Sequence, residues 1–333
     1  MKYLLNITAL LLLITAFSCK GPVKDKPEDT LIDSMNPVKP LLPNNFDSDS
    51  AYDYVAKQVS FGPRVPNTEA HRKCALWMEN MLKKWADTVF VQQFDAKSYK
   101  GEIWKAKNII GVFNPNSRNR ILLCAHWDTR PQADQDSKDK TTPSDGANDG
   151  ASGVGVLLEI ARQLHLQKPE MGIDIILFDV EDGGSNDGDV QDTWCLGSQY
   201  WTKHKHVEDY RATNGILLDM VGAKNAQFAR EEMSVRFDNN FLGMVWRTAV
   251  ELGYGNYFID YNKAGITDDH VYLSFYGGVP TIDIIDYDSK TKSGFGTYWH
   301  THDDNMSVID RQTLMAVGKT VLQTVLKKEA NIE

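Results

Sequence analysis

Three short clusters in this sequence carry residues able to hold a metal ion and move a proton. Near the C-terminus, Tyr298-Trp299-His300-Thr301-His302-Asp303-Asp304-Asn305 puts a histidine directly after a tryptophan and ahead of acids. That order suits a metal ligand in an aromatic-walled pocket. Gly146-Ala147-Asn148-Asp149-Gly150-Ala151-Ser152-Gly153 sets Asp149 in a glycine-rich turn. Phe178-Asp179-Val180-Glu181-Asp182 sets two adjacent carboxylates just after the apolar run Ile175-Ile176-Leu177-Phe178. Neighbouring carboxylates at the end of a buried strand repel each other unless a cation or a proton is shared. A metal on one and a proton shuttle on the other resolves that repulsion.

Each residue also has a structural alternative. Asp149 could cap the helix expected from Ala151, as could Ser152. Asp268, in Thr267-Asp268-Asp269-His270, could cap the turn into Val271–Tyr276. Glu181 and Asp182 could belong to an exposed acidic loop. His71, His165, His204 and His206 are expected to be structural or solvated, which leaves His126, His270, His300 and His302 as the pool of ligands. The acids Asp187, Asp189 and Asp192 lack the spacing of a calcium-binding loop. A serine nucleophile is disfavoured because no Gly-x-Ser-x-Gly elbow occurs. Metal-assisted chemistry is the better-supported class.

The elements that must position these residues alternate in type. Helical periodicity covers Glu69–Trp85, Ala151–Leu166, Phe241–Leu252 and Arg311–Lys327. Strand character covers Thr88–Phe94, Lys107–Phe113, Arg120–Ala125, Asp174–Val180, Gly215–Val221 and Val279–Ile285. The pattern predicts a single α/β domain, with a mixed, mostly parallel central sheet flanked by helices on both faces. His126 and Asp128 follow one strand, Glu181 and Asp182 follow another, and Asp219 lies near the end of a third. Sites in open α/β sheets form outside the carboxyl ends of strands.

Composition bounds the remainder. The net charge of −9 and the lack of a basic patch argue against a nucleic-acid partner. Residues 1–19 combine Lys2, an apolar run too short to span a bilayer, and small residues before Cys19, which reads as a bacterial lipoprotein signal peptide. Lipidation of Cys19, membrane attachment and a periplasmic location are therefore expected, with plain secretion or an uncleaved anchor as alternatives. Residues 20–50 read as a flexible tether. Residues 51–333 are expected to form the catalytic domain. Cys74, Cys124 and Cys195 lack the spacing of a structural zinc site. Cys124 lies in an apolar strand and is expected to be buried and inert.

Taken together, His126-Trp127-Asp128, the Asp149 turn, Glu181-Asp182, Leu218-Asp219-Met220-Val221-Gly222 and His300 resemble the M28 family of zinc peptidases. The resemblance runs from about Ala51 to the end and includes Phe61-Gly62-Pro63-Arg64. Within the family, Asp268-Asp269-His270 and Trp299-His300-Thr301 with Asp303-Asp304-Asn305 are closer to glutaminyl-peptide cyclotransferases than to aminopeptidases. The resemblance implies one catalytic zinc held by Asp149, Asp182 and His300. It implies Glu181 as acid/base, with Asp219 and Asp268 sharing a proton in its hydrogen-bond network, and Trp299 shaping the substrate pocket. Peptides or proteins with an N-terminal glutamine would be the substrates, converted to pyroglutamate with loss of ammonia. Asp182 stands where animal cyclases carry glutamate. Asp283 stands where they carry a pocket histidine, which suggests a different pocket polarity, and Trp194 has no assured counterpart. The rival readings are a two-zinc aminopeptidase using His126 and Asp219, and a silent peptide-binding lipoprotein, against which the intact Glu181 and ligand set argue.

Overall fold

The computed structural model describes residues 40–185 and 192–332. The expectations for Cys19, for residues 20–39 and for Asp187 and Asp189 lie outside the described residues. In chain order the elements are α1 (Ser48–Val59), α2 (Glu69–Trp85), β1 (Thr88–Lys97), β2 (Ile103–Phe113), β3 (Arg120–His126), α3 (Ala151–Gln167), β4 (Gly172–Phe178), α4 (Leu196–Lys203), β5 (Asn214–Asp219), β6 (Phe228–Glu231), α5 (Glu232–Glu251), β7 (Phe258–Lys263), α6 (Asp269–Phe275), β8 (Thr281–Ile285) and α7 (Arg311–Glu329).

The main sheet has the order β1-β2-β4-β3-β5-β8. The β1–β2 and β2–β4 pairs are antiparallel, whereas β4–β3, β3–β5 and β5–β8 are parallel. Every residue of β3, β4, β5 and β8 is buried. Full burial of mostly apolar strands is what a sheet covered on both faces requires. The expected fold class is therefore the observed one. Strands β4, β3, β5 and β8 run parallel, so their carboxyl ends open on one side, where His126, Asp179, Asp219 and Ile285 emerge.

Two packing details set the positions at that edge. Arg120 makes a two-pronged ion pair with Asp174, at 2.8 Å for each contact, which ties the start of β3 to β4. Gly153 lies where helix α3 crosses β5, and a Cβ there would collide with the Leu218 carbonyl oxygen. Only glycine allows so close an approach at that point.

Several boundaries differ from expectation for local reasons. β4 stops at Phe178, not Val180, because Val180 turns into the left-handed region at φ 54°. α5 starts at Glu232, well before Phe241, and breaks at Asp238, whose Oδ1 accepts the Phe241 N–H at 2.9 Å and so caps a second helical segment. Short α4 and the two-stranded parallel sheet of β6 and β7 had no clear periodic signal. Packing also begins upstream of the expected boundary at residue 50: Phe46 is buried, and Asp47 caps α1 from Ser48.

Candidate active site

Asp149, Asp182 and His300 converge beyond the sheet edge, with donor atoms all within 4.8 Å of one another. His300 Nε2 lies 3.1 Å from Asp182 Oδ1 and 3.6 Å from Asp149 Oδ2. Its other ring nitrogen, Nδ1, is 3.1 Å from Asp134 Oδ1. A histidine whose Nδ1–H donates to a carboxylate presents its Nε2 lone pair to the opposite side, as metal-bound histidines do. All three residues are buried. Two carboxylates and one imidazole nitrogen with no buried lysine between them form a donor set that fits a zinc ion.

Asp149 does not cap α3. The cap position is Gly150, at φ 94°, and no side chain bonds there. Asp304 instead receives the backbone N–H groups of Asn148 and Asp149 at 2.7 and 3.1 Å. Asn148 accepts the Gly222 N–H at 2.7 Å and donates to the Tyr298 hydroxyl at 2.7 Å. The turn bearing one carboxylate is thus tied to the loop after β5 and to the segment bearing His300. Ser152 donates to the Asn148 carbonyl at 2.6 Å and accepts the Val221 N–H at 3.0 Å, so it braces the same turn.

Asp128 has a related task at the next strand end. Its two oxygens accept the N–H groups of Glu181 and Asp182 at 3.0 and 3.2 Å. These bonds fix the loop that aims Asp182 at His300. Positive φ values at Val180 (54°), Met220 (49°) and His300 (55°) mark the same loops. A β-branched residue such as Val180 rarely adopts that region, and such outliers cluster where surrounding structure holds a functional loop in place.

A cavity of about 330 Å³ opens beside the donor set. Glu181, Asp219 and Asp268 line it together with Asp149, Asp182 and His300. Trp299 stacks on His300, with ring centroids 3.7 Å apart, and Trp194 faces the same imidazole at 6.3 Å with nearly parallel planes. The Arg130 guanidinium lies 4.7 Å from the Trp194 ring and also grips Asp134 at 2.9 and 2.8 Å. All seven sequence-predicted site residues therefore meet in one place.

Burial pushes Glu181 well above the ordinary glutamate value, and the carboxylates of Asp268, Asp182 and Asp269 add to this against the pull of His126. Burial and then the Asp219 charge raise Asp268 to about 7. Burial opposes charge on His300, but Asp182, Asp134 and Asp149 outweigh it and raise it to about 9. Asp268 can therefore hold a proton near neutral pH, and Glu181 is a stronger base than an ordinary glutamate, as an acid/base group must be.

Asp219 and Asp268 line the same cavity, and the Asp219 charge helps raise Asp268. Asp219 Oδ1 faces His126 Nε2 at 3.3 Å, and Asp268 caps α6 by accepting the Asp269 N–H at 2.5 Å. The expectation for Asp283 needs correction: it is fully buried and does not line the cavity, and β8 directs it inward, near Asp268 and His270. His206 is structural, as expected: its ring accepts the Trp201 indole N–H at 3.1 Å. Of the ligand pool, His302 pairs with Asp136 and His270 with Glu231, so neither joins the three-residue donor set. His126 does approach it, with Nε2 at 3.0 Å from Asp149 and 3.3 Å from Asp219, a second convergent group that shares Asp149. Residues the sequence did not single out are Arg130 and Asp134; Trp194, left without an assured counterpart, joins the cavity wall. The one signal for the first two was their separation of four residues after β3. Cys124 is buried in β3, as expected.

Comparison with known proteins accords with this geometry. The model of Peptidase family M28 matches residues 108–325. The glutaminyl-peptide cyclotransferase of Bos taurus is 27% identical over 257 residues, which cover 66% of this chain and 65% of that protein. The match thus spans just under two thirds of that relative's length. The crystal structure of Tannerella forsythia glutaminyl cyclase has a TM-score of 0.83 at 51% identity, covering 84% of this chain and 98% of that one. A Zn-dependent exopeptidase from Parabacteroides distasonis has a TM-score of 0.82 at 50% identity, covering 86% and 98%. With more than half its length matched and a donor set suited to zinc at the strand ends, the chain belongs to peptidase family M28.

Proposed function

We propose that this chain is a zinc-dependent glutaminyl-peptide cyclotransferase, acting on peptides or proteins with an N-terminal glutamine. The observation that carries the proposal is the set of protonatable carboxylates, Glu181 and Asp268, facing one small aromatic-walled cavity beside Asp149, Asp182 and His300. The similarity to bacterial glutaminyl cyclases supports it. One zinc ion held by Asp149, Asp182 and His300 would supply Lewis-acid activation of the glutamine side-chain amide.

The residues of the chain account for the other demands of the reaction. Trp299 and Trp194 give the glutamine side chain a narrow, partly apolar slot, which favours the folded-back conformer in which the α-amine approaches its own amide carbon. Holding that conformer turns ring closure into a pre-oriented step. The α-nitrogen forms a bond to the amide carbon, and the bond from that carbon to the amide nitrogen breaks. Glu181 takes the proton released by the α-nitrogen and returns it to the departing nitrogen, which leaves as ammonia. Asp268, able to hold a proton near neutral pH, donates a hydrogen bond to that nitrogen. Asp219 orients His126. The product is a pyroglutamyl peptide of unchanged chain length.

The convergence of His126, Asp149 and Asp219 favours one rival, a two-zinc aminopeptidase. Mass spectrometry separates the two after incubation of the zinc-loaded protein with a short peptide that begins with glutamine. Loss of one ammonia supports the cyclase. Loss of a whole glutamine residue overturns it in favour of the aminopeptidase. Export and a lipid on Cys19 belong to the same proposal; intact-mass analysis of the mature protein from bacterial membranes tests them.

A further inference from the structure

We infer that Cys195 is the positioning residue for the Glu181 side chain, an inference that rests on the acid/base role proposed for Glu181. The Cys195 thiol lies 3.2 Å from Glu181 Oε1, and the Cys195 backbone N–H donates to the Glu181 carbonyl oxygen at 3.0 Å. One residue therefore clamps both the main chain and the carboxylate of Glu181. Among the described residues the thiol is the one hydrogen-bond donor to that carboxylate. His126 Nδ1 comes no nearer than 3.9 Å to Oε2, and Asp182, Asp268 and Asp269 surround the group with like charge. The thiol therefore gives the one hydrogen bond, among the described residues, that opposes rotation of the Glu181 side chain away from these acids.

The local backbone supports this assignment. Cys195 stands at the start of α4 in the left-handed region, at φ 56° and ψ 34°, and its side chain makes no capping bond to the helix. A non-glycine residue seldom adopts that conformation. Here it turns the sulfur away from the helix and toward Glu181. The thiol is fully buried and is not part of a disulfide. Burial, then the charges of Glu181, Asp269 and Asp268, push its ionisation well above the ordinary thiol value, so the proton stays on sulfur and is available to donate. A thiol is a weak donor. It can hold Oε1 in place without removing much of the basicity of the carboxylate, and Oε2 is left for the substrate amine.

The test uses the full chain and two readouts. The infrared S–H stretch of Cys195, isolated by subtracting the spectrum of Cys195→Ala, should move to the free-thiol position in Glu181→Ala. In glutamine-peptide turnover, Cys195→Ala should lower kcat on the order of tenfold with KM unchanged, as expected for a misplaced reacting group. Cys195→Ser, which keeps a donor, should recover most of that loss. A wild-type kcat in Cys195→Ala, or an S–H band that ignores Glu181→Ala, overturns the inference. If Cys195→Ala fails to fold, the serine variant and a band recorded against it still decide. The band is read without substrate, so it judges the contact even if no ammonia is released, an outcome that would overturn the cyclase reading alone.

Discussion

His300 Nδ1 lies 3.1 Å from Oδ1 of Asp134, a residue 166 positions earlier in the chain. Asp134 is held in turn by Arg130, which also reaches the Asp182 carbonyl oxygen at 3.1 Å. One arginine thus supports the partner of one proposed zinc ligand and the backbone of another. Replacing Asp134 with alanine should weaken zinc binding by roughly 10–100-fold, the usual cost of losing a carboxylate behind a ligating histidine. Competition against a coloured chelator measures this. Unchanged affinity would show that Asp134 does not orient His300.

Glu181→Gln removes the group that accepts the proton but keeps its shape. Ammonia release from a glutamine peptide should fall by at least about a hundredfold, within the range for loss of a general acid/base. Zinc content by elemental analysis should stay at the wild-type level, since Glu181 lies outside the donor set. Near-normal turnover would remove Glu181 from the mechanism.

Zinc and protons should compete at His300. In the metal-free chain this histidine has its pKa raised to about 9, so it is charged at neutral pH. Zinc can bind only the uncharged ring, so binding must expel that proton. Affinity should therefore rise with pH up to about 9 and then level off. Calorimetry at pH 7 in buffers of different ionisation heat should register about one proton released from this site per zinc. A pH-independent affinity would contradict the assignment of His300 as a ligand.

Glu231 contributes to acid stability away from the donor set. Burial alone would raise its pKa, but His270 and the N–H groups of Met233 and Ser234 outweigh it and hold the carboxyl at about 2, below the ordinary 4.5. A lowered folded-state value stabilises the fold above the unfolded value and loses that contribution as pH falls. The loss should run from about pH 4.5 down to about 2, and by the linkage relation it amounts to about 3 kcal/mol at most. Urea unfolding of wild type and Glu231→Gln across that range is the check. Parallel pH profiles for the two proteins would refute the assignment.

The sequence alone determined the periodic elements and the chemistry-bearing residue types. Helix α2 matches its expected span because Ala75, Met78, Leu82 and Trp85 share one buried face. Strands β3, β4 and β5 were legible because strands buried on both faces are mostly apolar, and the acids at or just beyond their ends marked one sheet edge. Asp149, Glu181, Asp182, Asp219, Asp268, Trp299 and His300 all reached that edge. Their partners were decided by tertiary structure. Asp134 meets His300, Cys195 meets Glu181, and Trp194 joins the cavity wall only once the strand order and the left-handed turns at Val180, Cys195 and His300 are set. The inward direction of Asp283 likewise depends on which face of β8 the neighbouring helices cover. Such relationships join residues distant in the chain, and a local pattern of apolar and polar residues records each element's own face but not the neighbour that will meet it.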